Sequence, residues 1–211
     1  MYSSYVAVHL VTHPIAQHAL LRIRHASTTP SEFRRLASRL AAIIALEATR
    51  DLATQERTVD TPLESTTGHA LATDVAVVPV LRAGLSMVDA VLSWLPEARV
   101  GHVGLQRDEA TAIASRYYLK LPAITARTTV LVVDPMLATG GSAEAAIDLV
   151  KAVGAVDVRL LSIVAAPEGV AYLQSIHPDV PIFTTAVDRQ LNAQKYILPG
   201  LGDFGDRLYG T

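Results

Sequence analysis

Short apolar runs alternate with amphipathic stretches along most of the chain. The apolar runs are Val75 to Val80, Val100 to Leu105, Val130 to Val133, Leu160 to Val164 and Ile182 to Ala186. Helical patterns follow three of them, at Ser86 to Trp94, Ser142 to Val153 and Gly169 to Ile176. Strands that are apolar on both faces and alternate with helices are typical of parallel sheets. The pattern therefore predicts an α/β fold with a central, mostly parallel sheet flanked by helices.

A long amphipathic helix is predicted before the first of these strands. The sequence from Thr29 to Glu32 reads as an N-cap, a proline at N1 and an N3 glutamate that closes a capping box. Apolar residues then recur at three- and four-residue steps, which predicts a helix from Pro30 to about Leu52 that covers the sheet. Trp94 ends the later helical pattern at Ser86 to Trp94, and we expect it to fill the core behind that helix.

Two segments depart from this alternation. Residues 106–129 have a weak pattern, and within them residues 106–121 are predicted to form a hairpin or flexible lid. The tail from Leu191 onward is rich in glycine and lacks periodicity. A chain of 211 residues that is 50% apolar is long enough for one well-cored domain, so residues 1–211 are predicted to form a single domain.

Composition narrows the classes of partner. The chain has 18 Lys and Arg against 20 Asp and Glu, for a net charge of -2, which argues against nucleic acid as a partner. It has no cysteine, which excludes disulfides and thiolate nucleophiles and fits a reducing compartment. No apolar segment approaches the roughly 18 residues of a membrane span. We therefore expect a soluble cytoplasmic protein with no membrane partner.

The stretch that ends the third apolar run has the outline of an anion-binding loop. Val130 to Val133 runs into Asp134, and Thr139 to Ser142 leads into a helix. Glycines allow successive N–H groups to point inward, and a helix N-terminus adds partial positive charge. The loop lacks the lysine of a nucleoside triphosphate loop and so suits a phosphate monoester, with Asp134 accepting from sugar hydroxyls. The alternative is a turn whose glycines serve geometry alone.

The sequence VVDPMLATGGS resembles the ribose-phosphate motif of the type I phosphoribosyltransferases and, in detail, that of the uracil phosphoribosyltransferases. Like the uracil enzymes, it has a single acid, Asp134, before Pro135. Further motifs of this family follow the same order along nearly the whole chain: HPIAQHALLRIR, EATRDL, LRAGLSM, RDE, YYLKLP, VAAPEG, HPDV and YILPGLGDFGDRLYGT.

The resemblance implies the type I phosphoribosyltransferase fold, with a lid insertion and a C-terminal hood at residues 187–211 that binds the base. It implies transfer of the 5-phosphoribosyl group from phosphoribosyl diphosphate (PRPP) to N1 of uracil, which gives UMP and diphosphate. It implies Mg²⁺ as cofactor, held mainly by PRPP with Asp203 as a candidate ligand. It also implies a homodimer or larger homo-oligomer and, in some relatives, a GTP effector.

Residue roles carry over by the same resemblance. The expected PRPP-binding residues are Arg82, Arg107, Asp134, Pro135, Met136, Leu137, Ala138, Thr139, Gly140, Gly141, Ser142 and Asp203. The expected uracil-binding residues are Ile197, Gly202, Asp203 and Phe204. The expected catalytic residues are Arg82, Arg107, Asp134 and Asp203.

The chain also departs from the family pattern. Gln106 stands where tyrosine is usual, and Ala193 and Lys195 replace glutamate and glycine. Phe204 replaces an alanine of the tail, and its ring is expected to narrow the base pocket or shift the loop. Two alternatives therefore stay open: a phosphoribosyltransferase with another base choice, or a non-catalytic regulator of this fold that binds nucleotides or RNA.

Overall fold

The computed structural model describes residues 8–107 and 114–211, but not the side chains of Arg107, Ala114 and Ser115. The helices of these ranges are α1 (Pro14–Arg24), α2 (Pro30–Ala48), α3 (Leu85–Leu92), α4 (Gly141–Ala152), α5 (Pro167–Ile176) and α6 (Phe204–Tyr209). None of them is both long enough and apolar enough to cross a membrane.

Nine strands of the described residues form one sheet. They are β1 (Val8–Leu10), β4 (Asp74–Leu81), β5 (Arg99–Val100), β6 (His102–Arg107), β7 (Ala114–Lys120), β8 (Thr128–Val133), β9 (Met136–Leu137), β10 (Asp157–Ala165) and β11 (Ile182–Val187). The order is β1-β11-β10-β8-β4-β6-β7, with β5 beside β4 and β9 beside β10. All pairs are parallel except β6 with β7. The predicted α/β fold with a mostly parallel sheet is confirmed.

The core lies on both faces of this sheet, because successive strand residues point to opposite sides. In β8, Leu131 and Val133 face one cluster of buried side chains, formed with α1, α2, α3 and α6. Val130 and Val132 face the other cluster, formed with α4 and α5. The central strands are thus buried on both sides, as their continuous apolar runs predict.

Helix α2 begins where its capping sequence predicts. The Thr29 hydroxyl accepts a hydrogen bond from the Glu32 backbone N–H at 3.3 Å, and proline follows the cap. The Glu32 carboxylate pairs with Arg22 and does not close the predicted capping box. The helix ends at Ala48, four residues before the predicted end at Leu52. The Thr49 hydroxyl donates to the Ala45 carbonyl and the helical hydrogen-bond series stops there.

Trp94 does not fill the core, so that prediction is wrong. Helix α3 ends at Leu92, and the Trp94 side chain lies beyond it with 54% of its surface exposed. An apolar residue just past a helix end no longer has a position set by the 3.6-residue repeat, so the helical pattern could not place it.

Two hairpins accompany the main sheet. Strands β6 and β7 pair antiparallel, which confirms a hairpin in the segment predicted as a hairpin or lid, while its tip lies outside the described residues. The hairpin of β2 (Thr54–Asp60) and β3 (Ser65–Leu71) was not predicted, and its side chains are nearly all exposed. Strands β12 (Gln190–Leu191) and β13 (Ile197–Leu198) form a small sheet in the tail.

The cap of α2 gives a test of the fold. Thr29→Ala removes the hydroxyl that accepts the Glu32 N–H and is expected to lower the free energy of unfolding by about 1 kcal/mol, measured by urea denaturation. Thr29→Ser keeps an equivalent acceptor and should retain most of that stability. Equal stability of the alanine and serine variants would contradict the capping role.

Candidate active site

A cavity of about 410 Å³ opens where several parallel strands end. It is lined by Leu81, Arg82, Ala83, Leu105, Met136, Ala138, Lys195, Tyr196, Ile197, Gly202, Asp203, Phe204, Gly205 and Tyr209. Leu81 ends β4, and Arg82 and Ala83 follow it; Leu105 lies in β6, Met136 and Ala138 follow β8, and the remaining residues come from the tail. The cavity therefore lies at the carboxyl edge of the sheet, where parallel α/β folds bind ligands.

The turn after β4 brings an arginine to this cavity. Gly84 packs so closely that a Cβ there would lie 2.4 Å from the Val133 carbonyl oxygen and 2.7 Å from that of Val80. Only glycine allows this approach, which holds the turn against the end of β8. Arg82, within the turn, is exposed and donates no hydrogen bond among the described residues. Its guanidinium is available to an anion in the cavity.

The loop after β8 is fixed to β10 along one side. The Pro135 carbonyl accepts from the Ile163 and Val164 N–H groups at 3.0 and 3.1 Å. The Leu137 N–H donates to the Ser162 hydroxyl at 3.1 Å, and the Leu137 carbonyl accepts from the Ala166 N–H. These bonds fix the backbone up to the start of α4.

The other side of this loop presents unused donors. Among the described residues, no acceptor meets the backbone N–H groups of Gly140, Gly141, Ser142 and Ala143. Gly140, Ser142 and Ala143 line a cavity of about 50 Å³ whose other lining residues are Asp134, Met136, Leu137, Ala138 and Thr139. Met136 and Ala138 line this cradle and the larger cavity alike. An anion here would meet several N–H donors and the positive end of α4.

Asp134 stands between β8 and the cradle as a partly buried carboxyl. Burial raises its pKa to about 6, and the Met136 N–H, which donates to its Oδ1 at 3.3 Å, opposes that shift. The carboxyl group therefore titrates close to neutral pH, and once ionised it can accept hydrogen bonds from hydroxyl groups. A raised pKa in a cleft is typical of functional sites.

The tail contributes the wall opposite the strands. Ile197 is buried, and Gly202 is exposed with its N–H and C=O unpaired among the described residues. Asp203 caps α6, because its Oδ1 accepts from the Asp206 N–H at 3.0 Å. Phe204 is only 3% exposed, and its ring packs edge-on against Phe33 with centroids 5.0 Å apart. The ring was expected to narrow the base pocket or shift the loop. In the structure it packs into the core and forms part of the cavity wall.

Most of the predicted site residues meet at these two cavities. Pro135 lines neither of them and holds β10 instead, and Gly141 contributes only the start of α4. The Arg107 side chain lies outside the described residues. Residues of the cavity wall that were not predicted individually are Leu105, Tyr196, Gly205 and Tyr209, while Ala83 lies in the LRAGLSM motif. Tyr196, Gly205 and Tyr209 lie within the tail motif YILPGLGDFGDRLYGT, and Leu105 is separated from RDE by one residue. Lys195, noted as a departure, also lines the cavity.

The chain matches known proteins over nearly its full length. A family model described as Uracil phosphoribosyltransferase matches residues 10–211. Curated proteins named uracil phosphoribosyltransferase are 50% identical to it, one from Dictyoglomus thermophilum over 96% of this chain and 98% of its own, and one from Salinibacter ruber over 97% of each. The solved structure of the AQ2163 protein from Aquifex aeolicus superposes with a TM-score of 0.93 at 34% identity, covering 97% of this chain and 99% of that one.

The pKa of Asp134 yields a stability test. At pH 8 the carboxylate is charged in both the folded and unfolded chain, and burial penalises only the folded one. Asp134→Asn removes that charge and keeps an oxygen for the Met136 N–H, so we expect the free energy of unfolding at pH 8 to rise by about 1–3 kcal/mol.

This gain should shrink as pH falls from about 6 through 3.8, since the folded group protonates first, and disappear below both values. Urea denaturation across this range measures it. Asp89→Asn, at an exposed position of α3, is the control and should change stability by less than about 0.5 kcal/mol. A pH-independent effect of Asp134→Asn would contradict the assignment.

Proposed function

The chain belongs to the uracil phosphoribosyltransferase family, and we propose that it transfers the 5-phosphoribosyl group of PRPP to N1 of uracil, giving UMP and diphosphate. One observation carries this proposal beyond the family match. The small cradle of N–H donors and the larger cavity share Met136 and Ala138 in their walls. A phosphate in the first would thus be continuous with a sugar and base in the second.

The cradle suits the 5-phosphate of PRPP. Its donors are backbone N–H groups that make no protein hydrogen bond among the described residues, so they lose none when the phosphate binds. The ribose would then extend past Asp134, whose carboxylate can accept from the 2- and 3-hydroxyls. Ionised Asp134 is favoured by such hydroxyl donors, which offsets the effect of burial on its pKa.

The leaving diphosphate would meet the turn after β4. Departure of diphosphate from the anomeric carbon leaves a sugar with oxocarbenium character, so stabilisation of charge dominates and no enzyme nucleophile is required. We assign Arg82 to the growing negative charge of the diphosphate, because its exposed guanidinium lines the cavity. Arg107, from the end of β6, is proposed as the second cation on the basis of the family motif.

Mg²⁺ fits this arrangement as a cofactor carried by the substrate. Among the described residues no group of three or more metal-binding side chains occurs, whereas Asp203 and Asp134 present carboxylates at the walls of the two cavities. When bound, the ion would supply positive charge that stabilises the leaving diphosphate. We propose Asp203 as the residue of the tail that contributes to holding it.

The tail suits the pyrimidine. Uracil offers one N–H donor between two carbonyl acceptors, and an exposed peptide at Gly202 can supply complementary groups. Ile197 and Phe204 provide apolar surface for the ring faces. Asp203 lies beside the same wall and is proposed to position N1 or its proton. We further propose that residues 187–211 act as the base-binding segment and residues 106–121 as a lid within one domain.

The assay that tests the function supplies PRPP, Mg²⁺ and a panel of bases and follows diphosphate release. We expect turnover with uracil and little with other bases. Turnover with a different base would indicate altered base choice. Tight nucleotide or RNA binding without any turnover would indicate a regulator and overturn the proposal.

Arg82 gives the residue-level test. Arg82→Ala should lower kcat/KM by about 100-fold or more, because it removes charge stabilisation of the leaving diphosphate. Asp134→Asn should lower turnover as well, although it stabilises the fold. The control is Arg99→Ala, which breaks an exposed ion pair with Asp74 of 3.0 Å and should leave the rate unchanged. Near-normal rates in the Arg82 variant would contradict the assignment of Arg82 to the leaving diphosphate.

We propose that the protein is a homodimer, supported by an exposed apolar face. Ile15 of α1, Leu46 of α2 and Trp94 beyond α3 are 53%, 42% and 54% exposed and line one surface depression. Contiguous apolar surface of this kind is typical of association sites, and a second copy offers a matching face about a twofold axis. The hairpin β2–β3 has little core of its own, and an isolated hairpin is only marginally stable in water.

Trp94→Glu places a charge in this face and is expected to convert the dimer to a monomer in sedimentation velocity. Val156→Glu is the matched control, since Val156 is also exposed, at 69%, but precedes β10 near the α4 side of the sheet. A dimer that persists in Trp94→Glu would show that this face is not the interface. A GTP effector site stays a prediction from the resemblance, and a cytoplasmic location stays a prediction from composition.

A further inference from the structure

Two arginines approach the base-binding tail from the side away from the cavity. Arg24 is the last residue of α1, and Arg207 lies within α6. Neither of them lines the cavity. Both guanidiniums nevertheless bind backbone carbonyls of the Gly200–Asp203 loop or of the chain beside it. These contacts suggest a role in holding the loop.

Arg24 joins the loop to an otherwise buried aspartate. Its Nη1 and Nη2 donate to the two carboxylate oxygens of Asp188 at 2.8 and 2.6 Å, and Nη1 also donates to the Gly200 carbonyl at 2.6 Å. Asp188 in turn accepts from the Gly200 N–H at 2.9 Å. The ion pair therefore binds both the N–H and the C=O of Gly200. The side chains of Arg24 and Asp188 are 19% and 6% exposed.

Gly200 occupies a position that only glycine can fill, with its backbone close against β13. Its φ is 59°, and a Cβ at this position would lie 2.1 Å from the Ile197 carbonyl oxygen. The loop is thus pressed against β13 on one side and tied to Arg24 and Asp188 on the other.

Arg207 fixes the next residue of the loop. Its Nη1 donates to the Leu201 carbonyl at 2.7 Å and to the Ile23 carbonyl at 2.8 Å, and Nη2 donates to the His25 carbonyl at 2.6 Å. The guanidinium lies 4.8 Å from the Phe33 ring centroid, a cation–π distance. Arg207 therefore connects the loop to the carboxyl end of α1.

Gly202, the next residue of the loop, faces the cavity. Gly202 follows the two bound residues, and its N–H and C=O have no partner among the described residues. A site in which rigid neighbours fix an unpaired peptide is preorganised, because little ordering remains when the ligand binds.

We propose that Arg24 and Arg207 are positioning residues for the pyrimidine, which hold the Gly200–Asp203 loop so that the Gly202 peptide reads the edge of the base. This inference rests on the proposed function. Part of the affinity for uracil would then depend on two guanidinium groups that do not line the cavity.

The test compares two ligands that differ only in the base. Calorimetry of the full chain with UMP and with ribose 5-phosphate gives the affinity due to uracil. Arg24→Lys and Arg207→Lys keep the charge but lose the planar fork, and Asp188→Asn keeps the shape but loses the charge. Each substitution is expected to weaken the affinity for UMP by about tenfold or more and the affinity for ribose 5-phosphate by less than about twofold. In steady state the KM for uracil should rise while the KM for PRPP stays unchanged.

Arg34→Lys is the matched control. Arg34 also donates to a backbone carbonyl of α6, that of Leu208 at 2.7 Å, but beyond the loop. It should lower thermal stability slightly and leave the ratio of the two affinities unchanged. The inference is overturned if folded Arg24→Lys and Asp188→Asn keep the wild-type ratio, or if Arg34→Lys lowers it equally. If the unchanged protein binds UMP no better than ribose 5-phosphate, the proposed base site itself fails, and this inference fails with it.

Discussion

The parallel pairing of β4, β8 and β10 is the constraint on which the site depends. Val133 pairs with Pro79 of β4 and with Leu161 of β10, so the three strands end at one edge of the sheet. Parallel strands require crossover connections, and α4, which follows β8, begins at this same edge. The turn of Arg82, the loop of Asp134 and the amino end of α4 are therefore brought together by backbone pairing alone. The sheet thus brings together the loops that we propose to bind the substrates.

The loop after β8 shows how this framework produces a binding site rather than a closed turn. It uses the Pro135 and Leu137 carbonyls on β10, which leaves the N–H groups from Gly140 onward facing the cradle. The same attachment places Asp134 where water is scarce, and its pKa rises for that reason. A buried carboxylate lowers the stability of the fold, and hydroxyl donors from the proposed ribose would offset that cost on binding. The attachment of the loop to β10 thus accounts both for the exposed N–H groups and for the raised pKa of Asp134.

The sequence predicted what depends on local pattern. Strand β8 is apolar on both faces and α2 begins with a threonine cap followed by proline, so both were foreseen. The Asp134 loop was foreseen because its donors and acid are contiguous. Hairpin β2–β3 was not, because its strands have no buried face to impose an alternation. The residue roles came from family resemblance. The pairing of Arg24 with Asp188 joins residues 164 positions apart, and no local pattern carries such a contact.

Phe204 shows why a departure from the family pattern in the tail is compatible with the fold. Read from sequence alone, a phenyl ring in place of a small side chain threatens the base pocket. In the structure the ring packs edge-on against Phe33 of α2, and the guanidinium of Arg207 also lies over the Phe33 ring. The larger side chain thus adds buried apolar contact behind the loop, and the unpaired peptide of Gly202 still faces the cavity. If backbone groups bind the base, as we propose, the side chains beside them are free to change as long as the loop keeps its position. Phe204 strengthens packing against the core and leaves the N–H and C=O of Gly202 facing the cavity.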